Sequence, residues 1–151
     1  MRRTRFDNAP CPIARTTDLL ADWWTPMILR DALFGRTRFE DFQTGLGIPR
    51  AILTRRLQRL VTDGLMERTQ YAEKPPRYEY HLTDKGRATF DVLAAMWRWG
   101  ADWLWKDGGP PVVLVDRETR QEVRPVMVDE RTGRRLDVRT LRPIRAAKLR
   151  P

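Results

Sequence analysis

The chain has 151 residues, enough for one domain with a real core plus an appended piece, and its formal charge of +9 favours a polyanion or an anionic surface as partner. No apolar run approaches the roughly 20 residues of a membrane span, and the basic start at Arg2, Arg3 and Arg5 leads into no hydrophobic signal region. A cytoplasmic protein with no membrane partner is therefore expected, and a single cysteine, Cys11, excludes an intrachain disulfide or a multi-thiolate metal site. Residues 1–10 read as a flexible basic arm. Ile13 to Trp23 predicts a short helix with Leu19, Leu20 and Trp23 apolar, and Thr25 followed by Pro26 reads as the cap and first turn of a second, largely buried helix ending at Gly35. Thr37 reads as the cap of a third helix, RFEDFQTGL, with Phe39, Phe42 and Leu46 on one side.

Gly45 to Gly47 turns the chain into its most regular stretch, GIPRAILTRRLQRLVTDG. Leu53, Leu57, Leu60 and Val61 recur at the spacing of one helical face, and Arg55, Arg59 and Thr62 fall opposite. Pro49 suits a first helical turn and Gly64 the left-handed position past the end. Two short helices joined by a tight turn, the second amphipathic and basic, make a helix-turn-helix pattern. The net +4 of residues 1–111 lies wholly between Arg36 and Tyr78, where nine basic residues meet five acidic ones.

After Gly64 the period changes. LMERTQY and RYEYHLT flank the loop AEKPP, and Tyr78, Tyr80 and Leu82 alternate with Arg77, Glu79 and His81, as in a half-buried strand. The result is a proline-tipped hairpin placed as a wing. Thr83 and Asp84 start one long helix to about Trp105, with an apolar stripe of Phe90, Leu93, Ala94, Trp97, Ala101 and Leu104 that Trp99, Trp103 and Trp105 widen. So apolar a helix at the end of a small domain suits a partner subunit. Residues 108–111 form a Gly/Pro linker, 112–141 three short strands in a small knuckle, and 142–151 a basic tail. No internal repeat is evident. The expected fold is mainly α with a small β wing, a winged helix-turn-helix over 11–107, plus the C-terminal β-knuckle.

Cys11-Pro12, ADWWTPMILRDALFG, TRFEDFQTGLGIPRAIL, LTRRLQRLVTDGLMER, YAEKPPRYEYHLTDKG and LAAMWRWGADW follow one another without large gaps. In these motifs the chain resembles HxlR-type transcription regulators, a branch of the MarR-like winged-helix proteins. The resemblance implies a homodimer that clamps first and last helices together and presents two recognition helices to palindromic double-stranded DNA. Many such proteins carry cysteines and a histidine at metal-ligand spacing in the knuckle. Here the matching positions are Thr119, Gln121, Asp129 and Thr132, a poor zinc set, so a metal-free knuckle without cofactor is expected.

Within that frame, Pro49, Arg50, Ala51, Thr54 and Arg55 are placed to meet base edges, with arginine able to fork to guanine. Arg56 and Arg59, further along, suit phosphates, as do Arg36, Arg38, Arg68, Lys74 and Arg77 around the wing. The alternative for each is a solvated charge or, for Arg77, an ion pair. The resemblance also implies a sensor of electrophiles or oxidants at Cys11, against a small buried apolar residue. Leu19, Leu20, Trp23, Phe90, Leu93, Trp97, Trp99, Ala101, Trp103 and Leu104 are the candidate dimer interface, or the lining of a pocket for a small apolar effector. His81, the one histidine, reads as a solvated residue, and neither a Gly-rich phosphate loop nor a triad supports an enzyme. A rival reading makes the basic knuckle a protein- or RNA-binding module with the winged helix as scaffold.

Overall fold

A computed structural model describes residues 6, 8–106 and 108–145, so most of the N-terminal arm and the tail from 146 lie outside the described residues. The chain divides into two compact units, residues 1–93 and 94–151. The first contains α1 (Pro12–Leu20), α2 (Thr25–Leu33), α3 (Phe39–Leu46), α4 (Arg50–Thr62), β1 (Met66–Glu73), β2 (Pro76–Leu82) and the short α5 (Asp84–Arg87). The next helix, α6 (Phe90–Trp103), leads into the second unit.

The core of the first unit is Ile28 and Leu29 of α2, Phe42 of α3, Leu53, Leu57 and Leu60 of α4, and Ile48, Leu65 and Met66 from the connections around α4 and β1. The i, i+4, i+7 leucines of α4 are fully buried, as their spacing requires, while Val61 is only partly covered. Gly47, at φ 63°, ends α3 in the left-handed region and lets Ile48 turn down into the core before α4 begins.

Several local expectations are corrected. Helix α1 stops at Leu20, and Trp23 stands 90% exposed beyond it. The N-cap residue of α2 is Trp24 rather than Thr25, and Asp22, two residues earlier, caps it with its side chain: one carboxylate oxygen accepts from the backbone N–H of Trp24 at 2.9 Å and of Thr25 at 3.0 Å, and Thr25 is itself helical and buried. Thr37 caps nothing. Its carbonyl accepts from Tyr80 N–H at 2.7 Å, and Arg38 bridges Glu79, so this segment lies as a third lane along β2. That lane half-buries Glu79, and every residue from Tyr78 to Leu82 is partly covered in place of the expected alternation. Pro49 is the residue before α4, not within its first turn.

The long terminal helix is two helices. Thr83 caps α5 by accepting from Gly86 N–H at 3.1 Å; the chain then turns at Ala88 and Thr89, whose hydroxyl donates to the Gly86 carbonyl. Gly86 is pressed so tightly on the Leu65 carbonyl that a Cβ would lie 2.0 Å from its oxygen.

In the second unit the expected strands reduce to single bridges, Val115 with Glu122 and Val128 with Arg135. An internal repeat is present after all: Val-Asp-x-x-Thr begins at Val115 and again at Val128. Both copies fold alike. Asp116 Oδ1 accepts from the N–H of Glu118 and Thr119, and Asp129 Oδ1 from that of Thr132. Arg120 and Gly133, at φ 60° and 66°, occupy the same left-handed position, and Val123 N–H and Leu136 N–H donate back to Leu114 and Met127.

Candidate nucleic-acid interface

A cleft of about 680 Å³ opens between α4 and the β1–β2 wing, lined by Arg50, Thr54, Gln58 and Thr62 on the helix side and by Arg68, Tyr71, Arg77 and Tyr78 on the wing side. Position on α4 decides who faces it. With Leu53, Leu57 and Leu60 turned into the core, the i, i+4 series Arg50, Thr54, Gln58 forms one edge of the exposed face. Arg55 and Ala51 are exposed on that helix too.

Aromatic rings order the cations here. The Arg50 guanidinium lies 4.8 Å from the ring centre of Phe39, and that of Arg68 3.4 Å from Tyr78. Ring faces attract and orient a guanidinium without cancelling its charge. Arg50 and Arg68 are thus held in place while remaining full cations, which lowers the ordering cost of binding an anion. Arg55, Lys74 and Arg77 are exposed and make no ion pair among the described residues. The Thr54 hydroxyl donates to the Arg50 carbonyl at 2.9 Å, leaving its lone pairs to accept.

The other predicted phosphate residues are engaged with carboxylates. Arg36 reaches the buried Asp31 at 2.5 Å, which Arg30 also pairs at 2.7 Å. Arg38 bonds Glu79 at 3.0 Å, which raises its pKa, and lies over Tyr71. Arg59 meets Asp63 at 2.6 Å across one helical turn, and Arg56 meets Asp22 at 3.2 Å. His81 Nε2 lies 3.3 Å from Glu79, with its side chain 41% exposed.

Sequence reading missed Gln58, Tyr71, Tyr78 and Phe39 as members of the cleft. Gln58 was legible as the residue one turn after Thr54. Tyr71 was not, because the register slips between Gln70 and Ala72 and leaves it as the bulged residue, re-aimed toward Arg38.

Cys11 is exposed immediately before α1, where the Arg15 Nε donates to the Ala9 carbonyl at 2.7 Å. Of the candidate interface residues, Leu20 and Leu93 pack on the core, whereas Phe90, Trp99, Trp103 and Leu104 are exposed. In the knuckle Asp129 Oδ1 accepts from the N–H and hydroxyl of Thr132 at 2.8 and 2.7 Å. No cluster of three or more His, Cys, Asp or Glu that could hold a metal exists among the described residues, and no described helix is long and apolar enough to cross a membrane.

A basic helix beside a two-stranded wing, with a ring-ordered cationic cleft between them, defines a winged helix-turn-helix of the MarR-like kind. The family model described as HxlR-like helix-turn-helix matches residues 19–107, and the chain belongs to that family of transcription regulators, which are not enzymes. An HTH-type transcriptional regulator of Mycobacterium tuberculosis is 35% identical over 131 residues, covering 87% of this chain and 83% of that one. One from Synechocystis is 42% identical over 95 residues, covering 62% and 70%. Among solved structures, PA1607, described as a candidate transcription factor, superposes with a TM-score of 0.85 at 40% identity, over 94% of this chain and 99% of that one. HypR, titled a redox regulator, gives 0.58 at 30% identity in its reduced form, over 61% and 92%.

Proposed function

We propose that the protein represses transcription as a homodimer on a palindromic operator, the two copies of α4 entering the major groove at half-sites about one helical turn apart, roughly 34–36 Å. The observation that carries this reading is the pair Arg50 and Arg68, held on aromatic rings at opposite walls of the cleft with their charge intact. Pro49, Arg50, Ala51, Thr54 and Arg55, joined by Gln58, meet bases; glutamine suits adenine as arginine suits guanine. Arg68, Lys74 and Arg77 meet phosphates or the minor groove. The exposed apolar residues of α6, with Trp99 and Trp103 foremost, are the surface a second subunit covers.

Release follows when a small apolar effector, or modification of the exposed Cys11 thiol, displaces the helices that join the subunits. Solved reduced and oxidised forms of HypR make a thiol route a natural reading for its relative here. Wild-type protein is expected to leave DNA on exposure to quinone or peroxide and Cys11→Ser to stay bound; equal release removes the thiol from the scheme.

The test is fluorescence anisotropy on the chain's own upstream intergenic DNA with scrambled duplex as competitor. Arg50→Ala and Arg55→Ala are expected to cost about 1–3 kcal/mol at the specific site and to relax base preference. Unchanged affinity in both variants sinks the assignment. Equal competition by scrambled DNA favours the rival reading, in which the basic C-terminal unit grips an acidic partner or RNA.

A further inference from the structure

The recognition helix is fixed to the rest of its unit by apolar burial and by directional polar contacts, and the two kinds of restraint act differently. Leu53, Leu57 and Leu60 anchor it by apolar burial, which resists lifting the helix away more than rotating it about its own axis. Rotation matters for reading bases: turning a helix by about 20° swings a side-chain tip at 5–6 Å radius by about 2 Å. A forked guanidinium contact tolerates far less.

The directional restraint nearest the middle of the helix is Arg56. It sits between the exposed Arg55 and the buried Leu57 and points back from the cleft to the corner between α1 and α2. There it meets Asp22 at 3.2 Å, the two side chains being 33% and 12% exposed. Asp22 is itself immobilised. Its Oδ1 accepts from two backbone N–H groups at the start of α2, and the Thr25 hydroxyl donates to its Oδ2.

We propose that Arg56 is a positioning residue for DNA readout: paired to the Asp22 carboxylate that caps α2, it fixes the rotation of α4 and so the aim of Arg50, Thr54 and Arg55, without touching DNA. This rests on the reading of α4 as the base-reading helix. It also joins the corner after α1 to the recognition helix through a single carboxylate.

The experiment compares Arg56→Gln, Arg56→Lys and Asp22→Asn. Asparagine keeps the oxygen that accepts from the backbone N–H groups at the start of α2 and replaces Oδ2, which pairs with Arg56 and accepts from the Thr25 hydroxyl, by an uncharged amide N–H2. Each is titrated, at several salt concentrations, against a duplex selected from random sequence by the wild-type protein and against scrambled duplex. Arg56→Gln and Asp22→Asn are each expected to lower the specific-to-scrambled affinity ratio by roughly tenfold, the scale of one misplaced forked contact. The slope of log affinity against log salt stays unchanged, Arg56→Lys recovers part of the ratio, and the double variant is no worse than the poorer single one.

Asp22→Asn is the sharpest arm, because removing a negative charge raises affinity for all DNA if only overall electrostatics operates. The proposal is overturned if Arg56→Gln weakens both duplexes equally and lowers the salt slope by about one, the mark of a phosphate contact. It is equally overturned if Asp22→Asn leaves the ratio intact. A wild-type protein that selects no sequence overturns the underlying reading as well, which separates the two failures.

Discussion

The two units of this chain are ordered by different physics. Residues 1–93 close around a core of fully buried leucines, isoleucines and Phe42. From Val112 to Arg145 no described residue is buried, and valines and methionine stand exposed at Val112, Val115, Val126 and Met127. There the order comes from hydrogen bonds: two hairpins, each with an aspartate folded back on its own loop. Packing is cooperative, so the first unit holds α4 and the wing around one shared core. Hydrogen-bonded turns fix only their own few residues, and the ties from this segment back to α6 are polar as well: Arg124 meets Asp102 at 2.5 Å and Arg98 donates to the Pro125 carbonyl at 3.4 Å.

Truncating the core separates the two most strongly. Leu57→Ala is expected to destabilise the first unit by about 2–5 kcal/mol, read as a lowered denaturation midpoint, through lost burial and the cavity left behind. Gly86→Ala should follow at about 1–3 kcal/mol, since the added methyl meets the backbone oxygen of Leu65 rather than a side chain that can swing away. A midpoint unchanged by Gly86→Ala means that the α5 turn moves freely on β1.

The gentlest probe is acid. Asp116 is held below the usual carboxylate range by the Thr119 N–H and hydroxyl and the Glu118 N–H, and Asp129 by the Thr132 hydroxyl and N–H. A depressed folded value contributes stability that is present above the ordinary pKa and is lost as pH falls through the folded one. The protection of the Thr119 and Thr132 amides, taken against the intrinsic exchange rate at each pH, should therefore fall on acidification below about pH 4, the ordinary range of an aspartate. Protection that persists to strong acid argues that packing, not the ionised carboxylate, holds these loops.

Much of the first unit was legible because its signals are local. The leucine period of α4, Gly47 and Gly64 at the turns, and the proline-tipped hairpin are each written within a dozen residues, and all appear as read. The knuckle's repeat was equally legible, as Val-Asp-x-x-Thr recurring thirteen residues on, but is easily passed over because each loop caps itself with oxygen where thiolates would catch the eye.

What no local pattern states is which cation meets which carboxylate. Nine basic residues between Arg36 and Tyr78 look alike in sequence, and a count of charge makes all of them candidate DNA contacts. The fold sorts them. It brings Asp22, Asp31 and Glu79 to Arg56, Arg36 and Arg38, lays Thr37–Arg38 along β2, and sets Phe39 and Tyr78 beneath Arg50 and Arg68. The sequence by itself determined the elements and the amphipathic, basic character of α4, since hydrophobic period and turn chemistry act over a few residues. Only the tertiary structure decided which of its arginines are paired and which stay open to solvent, because contacts such as Arg56 with Asp22 join residues far apart in the chain.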